Sequence, residues 1–245
     1  MGGSSMKERG MIFNSEMVRA LLDGRKTQTR RPIKWRQTRA TEIAEREDGS
    51  KWPWSEGAEN VCDYWHPCPF GAVGDRIWVR ETWAILGNED GCCIDWEEKL
   101  CKADERSAAR IYRASCEQKP GNYGLWSIPD DADWKPHTKD YQYEGAWRPS
   151  IHMPRWASRI LLEITDVRVE RLNSISEEDA TAEGVPHAGG LLPDYPGTFL
   201  TPNGDFATAK VAFQRLWESI YGEDSWKANQ WVWVIEFKRI EGGAA

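Results

Sequence analysis

The run WVWVIEFKRI at positions 231–240 limits the possible fold more than any other stretch of this chain. Its apolar side chains follow a period of two over most of its length, with little polar relief, the pattern of a strand at an interior position of a sheet. A second block, RILLEITDVRVERL at 159–172, directs Leu162, Ile164, Val167 and Val169 inward on either side of a bend expected at Thr165-Asp166. RIWVRETWAI at 76–85 reads as a third strand entered through a turn at Gly74-Asp75. ARIYRA at 109–114 reads as a short fourth.

Helical spacing is confined to three segments. In NSEMVRALLD, 14–23, Asn14 or Ser15 is the cap, Met17, Val18, Leu21 and Leu22 form the apolar stripe, and Gly24 ends the helix. Ser176 caps an acidic start, Glu177-Glu178-Asp179, of a short helix closing near Gly184, with Glu183 at its end. The third, TAKVAFQRLWESIY at 208–221, stops at Gly222. Helices and strands alternate too little for a parallel α/β sheet. The expected class is α+β: a small, mostly antiparallel barrel or curved sheet with short helices on its rim. The polar, Gly- and Pro-punctuated stretches at about 32–73, 86–146 and 187–205 read as long loop insertions within one domain over 11–241, and 1–10 as a disordered tail.

A formal net charge of -7 disfavours broad binding to duplex nucleic acid, for which a basic face is needed. Arg25, Lys26, Arg30, Arg31 and Lys34 form a local basic patch on that acidic background. No apolar run approaches the roughly 18 residues of a membrane span, so no membrane association is expected. The absence of a secretory pattern near the start and the uneven spacing of six cysteines point to a reducing, cytoplasmic setting. Cys62, His66 and Cys68 lack the C-x-x-C spacing of a zinc site, and Asp75 and Glu81 lack a partner cluster, so no metal is expected. Trp217, Trp231 and Trp233 fall at core positions, whereas Trp52, Trp54, Trp65, Trp126 and Trp134 lie in loop-like sequence where their rings can line a cleft and stack a base. His152 reads as a buried, hydrogen-bonded histidine.

The chemistry concentrates in LDGRKTQTRR, 22–31, directly after the first helix. A lysine kept neutral by burial can take the proton of a threonine hydroxyl and make it a nucleophile, which singles out Lys26 and Thr29. Residues three apart on a straight strand face opposite ways, so their convergence requires a bend between Gly24 and Thr29. An ordinary alternative is an exposed lysine, a strand threonine and a helix-end acid.

The segments GRKTQTRR, GDRIWVRE, DATAEGV and the terminal WVWVIEFKRI together resemble the ASCH domains, relatives of the PUA fold, over roughly 90 positions. Within that group the spacing is similar to that of the small bacterial amidohydrolases that act on N4-acetylcytidine. The resemblance implies a PUA-like barrel, no cofactor, and a small nucleoside as substrate. It also implies Thr29 as nucleophile, Lys26 as base and Glu183 as proton donor. Gly24 and Arg31 match family positions, and Glu81 and Trp83 are further candidates for substrate contact. The segments 32–73 and 86–146 depart from the small enzymes, which lack them. The alternative is an RNA- or single-strand-binding module in which the basic segment grips phosphate and loop tryptophans stack bases.

Overall fold

The computed structural model describes residues 6–56, 63–87, 92–97, 99–102, 104–116, 138–139, 142–143 and 147–240. In chain order the elements are β1 (Glu8–Ile12), α1 (Ser15–Leu22), β2 (Gln28–Pro32), β3 (Glu42–Glu45), β4 (Lys51–Glu56), β5 (Asp63–Trp65), β6 (Arg76–Arg80), β7 (Trp83–Ile85) and β8 (Arg110–Tyr112). There follow the single helical turn α2 (Arg113–Cys116), β9 (Thr138–Lys139), β10 (Gln142–Tyr143), β11 (Leu161–Arg171), α3 (Glu177–Ala182), β12 (Phe199–Leu200), β13 (Phe206–Ala207), α4 (Ala209–Tyr221) and β14 (Trp231–Ile240). The chain divides into two compact units, one of residues 1–9, 20–77 and 162–239, the other of 10–19, 78–161 and 240–245.

One sheet has the strand order β1-β6-β11-β14-β2, and the first unit holds β2 and nearly all of β11 and β14. WVWVIEFKRI is an interior strand of this sheet, between β11 and β2, and Val232, Trp233, Val234, Ile235 and Phe237 are all buried. β2 runs antiparallel to it with Trp233 opposite Arg31, Val234 opposite Arg30 and Ile235 opposite Thr29. Val232 and Val234 face a core made with Leu172, Ala180, Phe213 and Trp217, which is how α3 and α4 are held on one side of the sheet. Burying four or five such side chains contributes on the order of 10 kcal/mol before the entropy of ordering is subtracted.

The α+β class holds, but the sheet is not closed into a barrel: its order begins with β1 and ends with β2, which do not pair with each other. The expected bend at Thr165-Asp166 does not interrupt β11, which runs unbroken for 11 residues. The described parts of 32–73 are not simply loop. β3, β4 and β5 form an antiparallel sheet with Ala44 opposite Trp52 and Trp54 opposite Trp65. Pro53 interrupts the strand pattern in the sequence, yet in β4 it gives up only an N–H, and its carbonyl still accepts from the His66 N–H at 2.9 Å. Within 187–205, Phe199 and Leu200 pair with Ala207 and Phe206 in a short hairpin.

The second unit contains the β7–β8 pair, with Trp83 opposite Tyr112. The expected strand at 76–85 is split after Arg80, and the expected strand at 109–114 turns helical at Arg113. Among its described residues, buried side chains cluster around Ala84, Leu86, Ile94 and Ile111 and around Trp83, Met153 and Ala157. His152, expected to be buried, is exposed on a 3-10 turn after Pro149, where a single turn gives its ring nothing to pack under. Trp126, Trp134 and Cys62 lie outside the described residues.

Candidate active site

The segment after α1 bends at Gly24, and the bend brings Lys26 to α3 without bringing it to Thr29. Gly24 adopts φ +74 with its N–H on the Leu21 carbonyl, a left-handed helix end that glycine enters without steric cost. The chain then folds back, so that the Lys26 N–H donates to the Ala20 carbonyl at 3.0 Å and the Thr27 N–H to the Ala182 carbonyl at 2.9 Å. Those bonds bring the start of β2 to the end of α3.

α3 is fixed at its other end by Ser176, whose hydroxyl accepts from the Asp179 N–H at 3.0 Å. Its last residues deliver Glu183 to Lys26. The Lys26 Nζ donates to Glu183 Oε2 at 2.8 Å and to the Glu183 carbonyl at 2.7 Å. Both side chains are closed to solvent, at 0 and 3% exposure. The approach is tight, because Gly184 at φ +87 has room for no side chain: a Cβ there would sit 2.8 Å from the Cβ atoms of both Ala20 and Lys26.

Burial lowers the pKa of Lys26, and Arg31 and Arg30 lower it further, while Glu183 works in the opposite direction. Arg30, with its side chain fully buried, extends the network: Nη2 reaches Asp179 Oδ2 at 2.8 Å and Glu170 Oε2 at 3.0 Å, and Nη1 lies 3.5 Å from Glu183 Oε1. Arg168 ties β11 to the same helix through Asp179 at 3.3 Å, with Asp166, Glu170 and Glu236 as its other partners.

Alternation along β2 separates Thr29 from this network. Gln28 and Arg30 point to α3, Gln28 through its Nε2 on the Asp179 carbonyl at 2.9 Å, whereas Thr29 and Arg31 lie on the side of Ile235 and Trp233. Thr29 is buried, and no hydrogen bond joins it to Lys26. The structure therefore brings Lys26 and Glu183 together and puts Thr29 on the neighbouring, opposite-facing position. Arg31 is half-buried beside it in sequence and across from Trp233.

Glu81 and Trp83 belong to the second unit. Glu81 is buried and held bidentately by Arg159, at 2.9 Å to Oε1 and 3.0 Å to Oε2, and burial raises its pKa against the pull of that guanidinium. Trp83 is packed edge-on to Trp156 at 5.5 Å, with the Arg148 guanidinium 5.1 Å from its ring. Asp75 spends its carboxylate on the Lys7 and Ala72 N–H groups, at 2.9 and 3.1 Å, and on Arg9. Among the described residues no three His, Cys, Asp or Glu side chains gather as a metal site.

Sequence reasoning placed Arg30 only in a basic patch and Asp179 only at a helix start, and did not join them and Glu170 into the network that reaches Glu183 through Arg30. An arginine one position beyond Thr29 and an acidic helix start ahead of Glu183 were the available signal.

A search of family models, of curated proteins and of solved structures finds no match to this chain. No helix among the described residues is long and apolar enough to cross a membrane.

Proposed function

We propose that this protein is an amidohydrolase that removes the acyl group from an N4-acylated cytosine nucleoside, with Thr29 as nucleophile, Lys26 as base and Glu183 as proton donor. One observation carries the reading: the buried contact between the Lys26 amine and Glu183, residues 157 positions apart. Burial that lowers the lysine pKa favours the free amine a base needs.

Neutral Lys26 takes the hydroxyl proton as Thr29 Oγ attacks the acyl carbon. Collapse of the tetrahedral adduct breaks the C–N bond, and protonated Glu183 gives its proton to the departing N4. Water then attacks the acyl ester, yielding one proton to Glu183, while the Lys26 ammonium returns its proton to Thr29. Arg31, on the same face of β2 as Thr29, is the side chain suited to the oxyanion. The scheme needs a rearrangement at the start of β2 that turns the Thr29 hydroxyl toward Lys26, because the two face opposite ways in this structure. Phosphate gripping by the same basic segment has less support, because Arg25 is tied to Asp23 and the Gly184 carbonyl, Lys26 to Glu183, and Arg30 to three carboxylates.

The test is the ultraviolet change on conversion of N4-acetylcytidine to cytidine, with EDTA present throughout. Turnover that disappears in Thr29→Ala and Lys26→Ala, at a temperature where both keep the wild-type circular dichroism, is the expected result. Unchanged spectra with acetyl, benzoyl and longer acyl substrates would overturn it.

A further inference from the structure

The first unit holds a cavity of about 1200 Å³ that none of Lys26, Thr29, Arg31 or Glu183 lines. Its wall combines Lys34, Arg39 and Arg46 with Trp52, Trp65 and Trp233. The charge there is opposite to that of the chain: five basic side chains border the cavity against one carboxylate, Asp75, while the protein as a whole carries -7. Asp75 is already committed to Arg9 and to two backbone N–H groups. Lys34 and Arg39 are exposed, and among the described residues neither these two nor Arg46 has a carboxylate within ion-pair distance.

The aromatic part is ordered by the β3-β4-β5 sheet. Trp54 and Trp65 are cross-strand partners, and Trp52 lies two residues from Trp54, so all three project from one face. Arg46 sits over Trp52 at 4.2 Å and over Trp65 at 5.1 Å, and Trp52 meets Trp233 edge-on at 5.1 Å. The Trp52 indole N–H is fixed on the His66 carbonyl at 2.7 Å. Flat rings and a stacked guanidinium, held rigidly beside unpaired cations, suit a ligand with flat bases and a repeated negative charge. The volume exceeds the roughly 300–1,000 Å³ usual for a single small ligand.

From this we infer that the cavity binds a single-stranded segment of nucleic acid, with phosphates on Lys34 and Arg39 and bases stacked on the Trp65 and Trp52 side. The site is independent of the hydrolase reading, and its test measures binding alone.

The test is fluorescence anisotropy of a labelled oligothymidylate or oligouridylate with the full chain over a series of salt concentrations. Binding that weakens with salt is expected. Lys34→Ser with Arg39→Ser, both exposed positions, should lower the slope of log affinity against log salt by about 1.4, since each lost phosphate contact on a single strand removes about 0.7. Trp65→Ala should weaken binding about tenfold. No binding at low salt, or binding whose salt slope survives the double substitution, would overturn the inference. So would displacement of the strand by an equal concentration of a mononucleotide, which would assign the cavity to a free nucleotide instead.

Discussion

Lys26 grips Glu183 at two points, the carboxylate and the backbone carbonyl of the same residue, at 2.8 and 2.7 Å. One amine thereby engages the Glu183 carboxyl group and the end of α3 together. Removing a single partner leaves the other buried polar group unsatisfied, at a typical cost of about 1–3 kcal/mol. Lys26→Met should fall at the lower end of that range, because Arg30 still lies 3.5 Å from Glu183. Lys26→Met combined with Glu183→Leu should recover part of the loss. Urea unfolding of the two single variants and the double reads the coupling directly; additive effects would mean that the contact contributes nothing of its own.

The same contact sets a pH dependence. The Lys26 pKa in the folded protein is lowered from 10.5, with desolvation as the first cause, so between the lowered value and 10.5 the unfolded chain binds more protons than the folded one. Stability from this group therefore rises with pH across that window and is complete above it. Measured against Lys26→Met, the wild type should gain stability as pH rises toward 10.5. A stability difference flat across that range would contradict the burial argument.

Gly184 allows α3 to end against α1. A methyl group at this position meets two Cβ atoms at 2.8 Å, both on fixed backbone, and forces an L residue to φ +87. Gly184→Ala should cost about 2–4 kcal/mol, combining overpacking with left-handed strain. Gly24, also left-handed at φ +74, has nothing within 4 Å of a Cβ. Gly24→Ala should therefore cost only about 1 kcal/mol. Thermal melts of the two variants separate clash from conformation, and equal losses would show that the approach of Gly184 to Lys26 is not tight.

The difference between these glycines also shows how far the sequence could be read. Helix caps at Ser176 and Gly24 and the strand WVWVIEFKRI were legible because local chemistry alone specifies them. Glu183 meeting Lys26 was legible only through the family resemblance, since no local pattern joins positions 157 apart. The side on which Thr29 lies depends on the register of β2 against β14, with Thr29 opposite Ile235, and register is a property of the pairing rather than of either strand. The β3-β4-β5 sheet was hidden by Pro53, Pro67 and Pro69, which read as loop punctuation. Its aromatic stripe of Trp52, Trp54 and Trp65 forms only once β4 and β5 pair.

Arg30 offers the clearest test of whether the acidic start of α3 is held by geometry or by charge alone. Its guanidinium reaches Asp179 and Glu170 through Nη2 and lies 3.5 Å from Glu183 through Nη1, with the whole side chain out of solvent. Lysine keeps the charge but has one nitrogen in place of a planar fork, so it cannot span three carboxylates on different elements. Arg30→Lys should therefore lose about 2 kcal/mol, and Arg30→Met more, because buried Glu183 and the half-buried Glu170 and Asp179 then lose a shared partner. Because the site is buried, the loss should change little between low and high salt, unlike that of an exposed pair such as Lys227 with Asp224. Urea midpoints for the three proteins at two salt concentrations decide it: an Arg30→Lys protein as stable as wild type would show that net charge alone holds α3 in place.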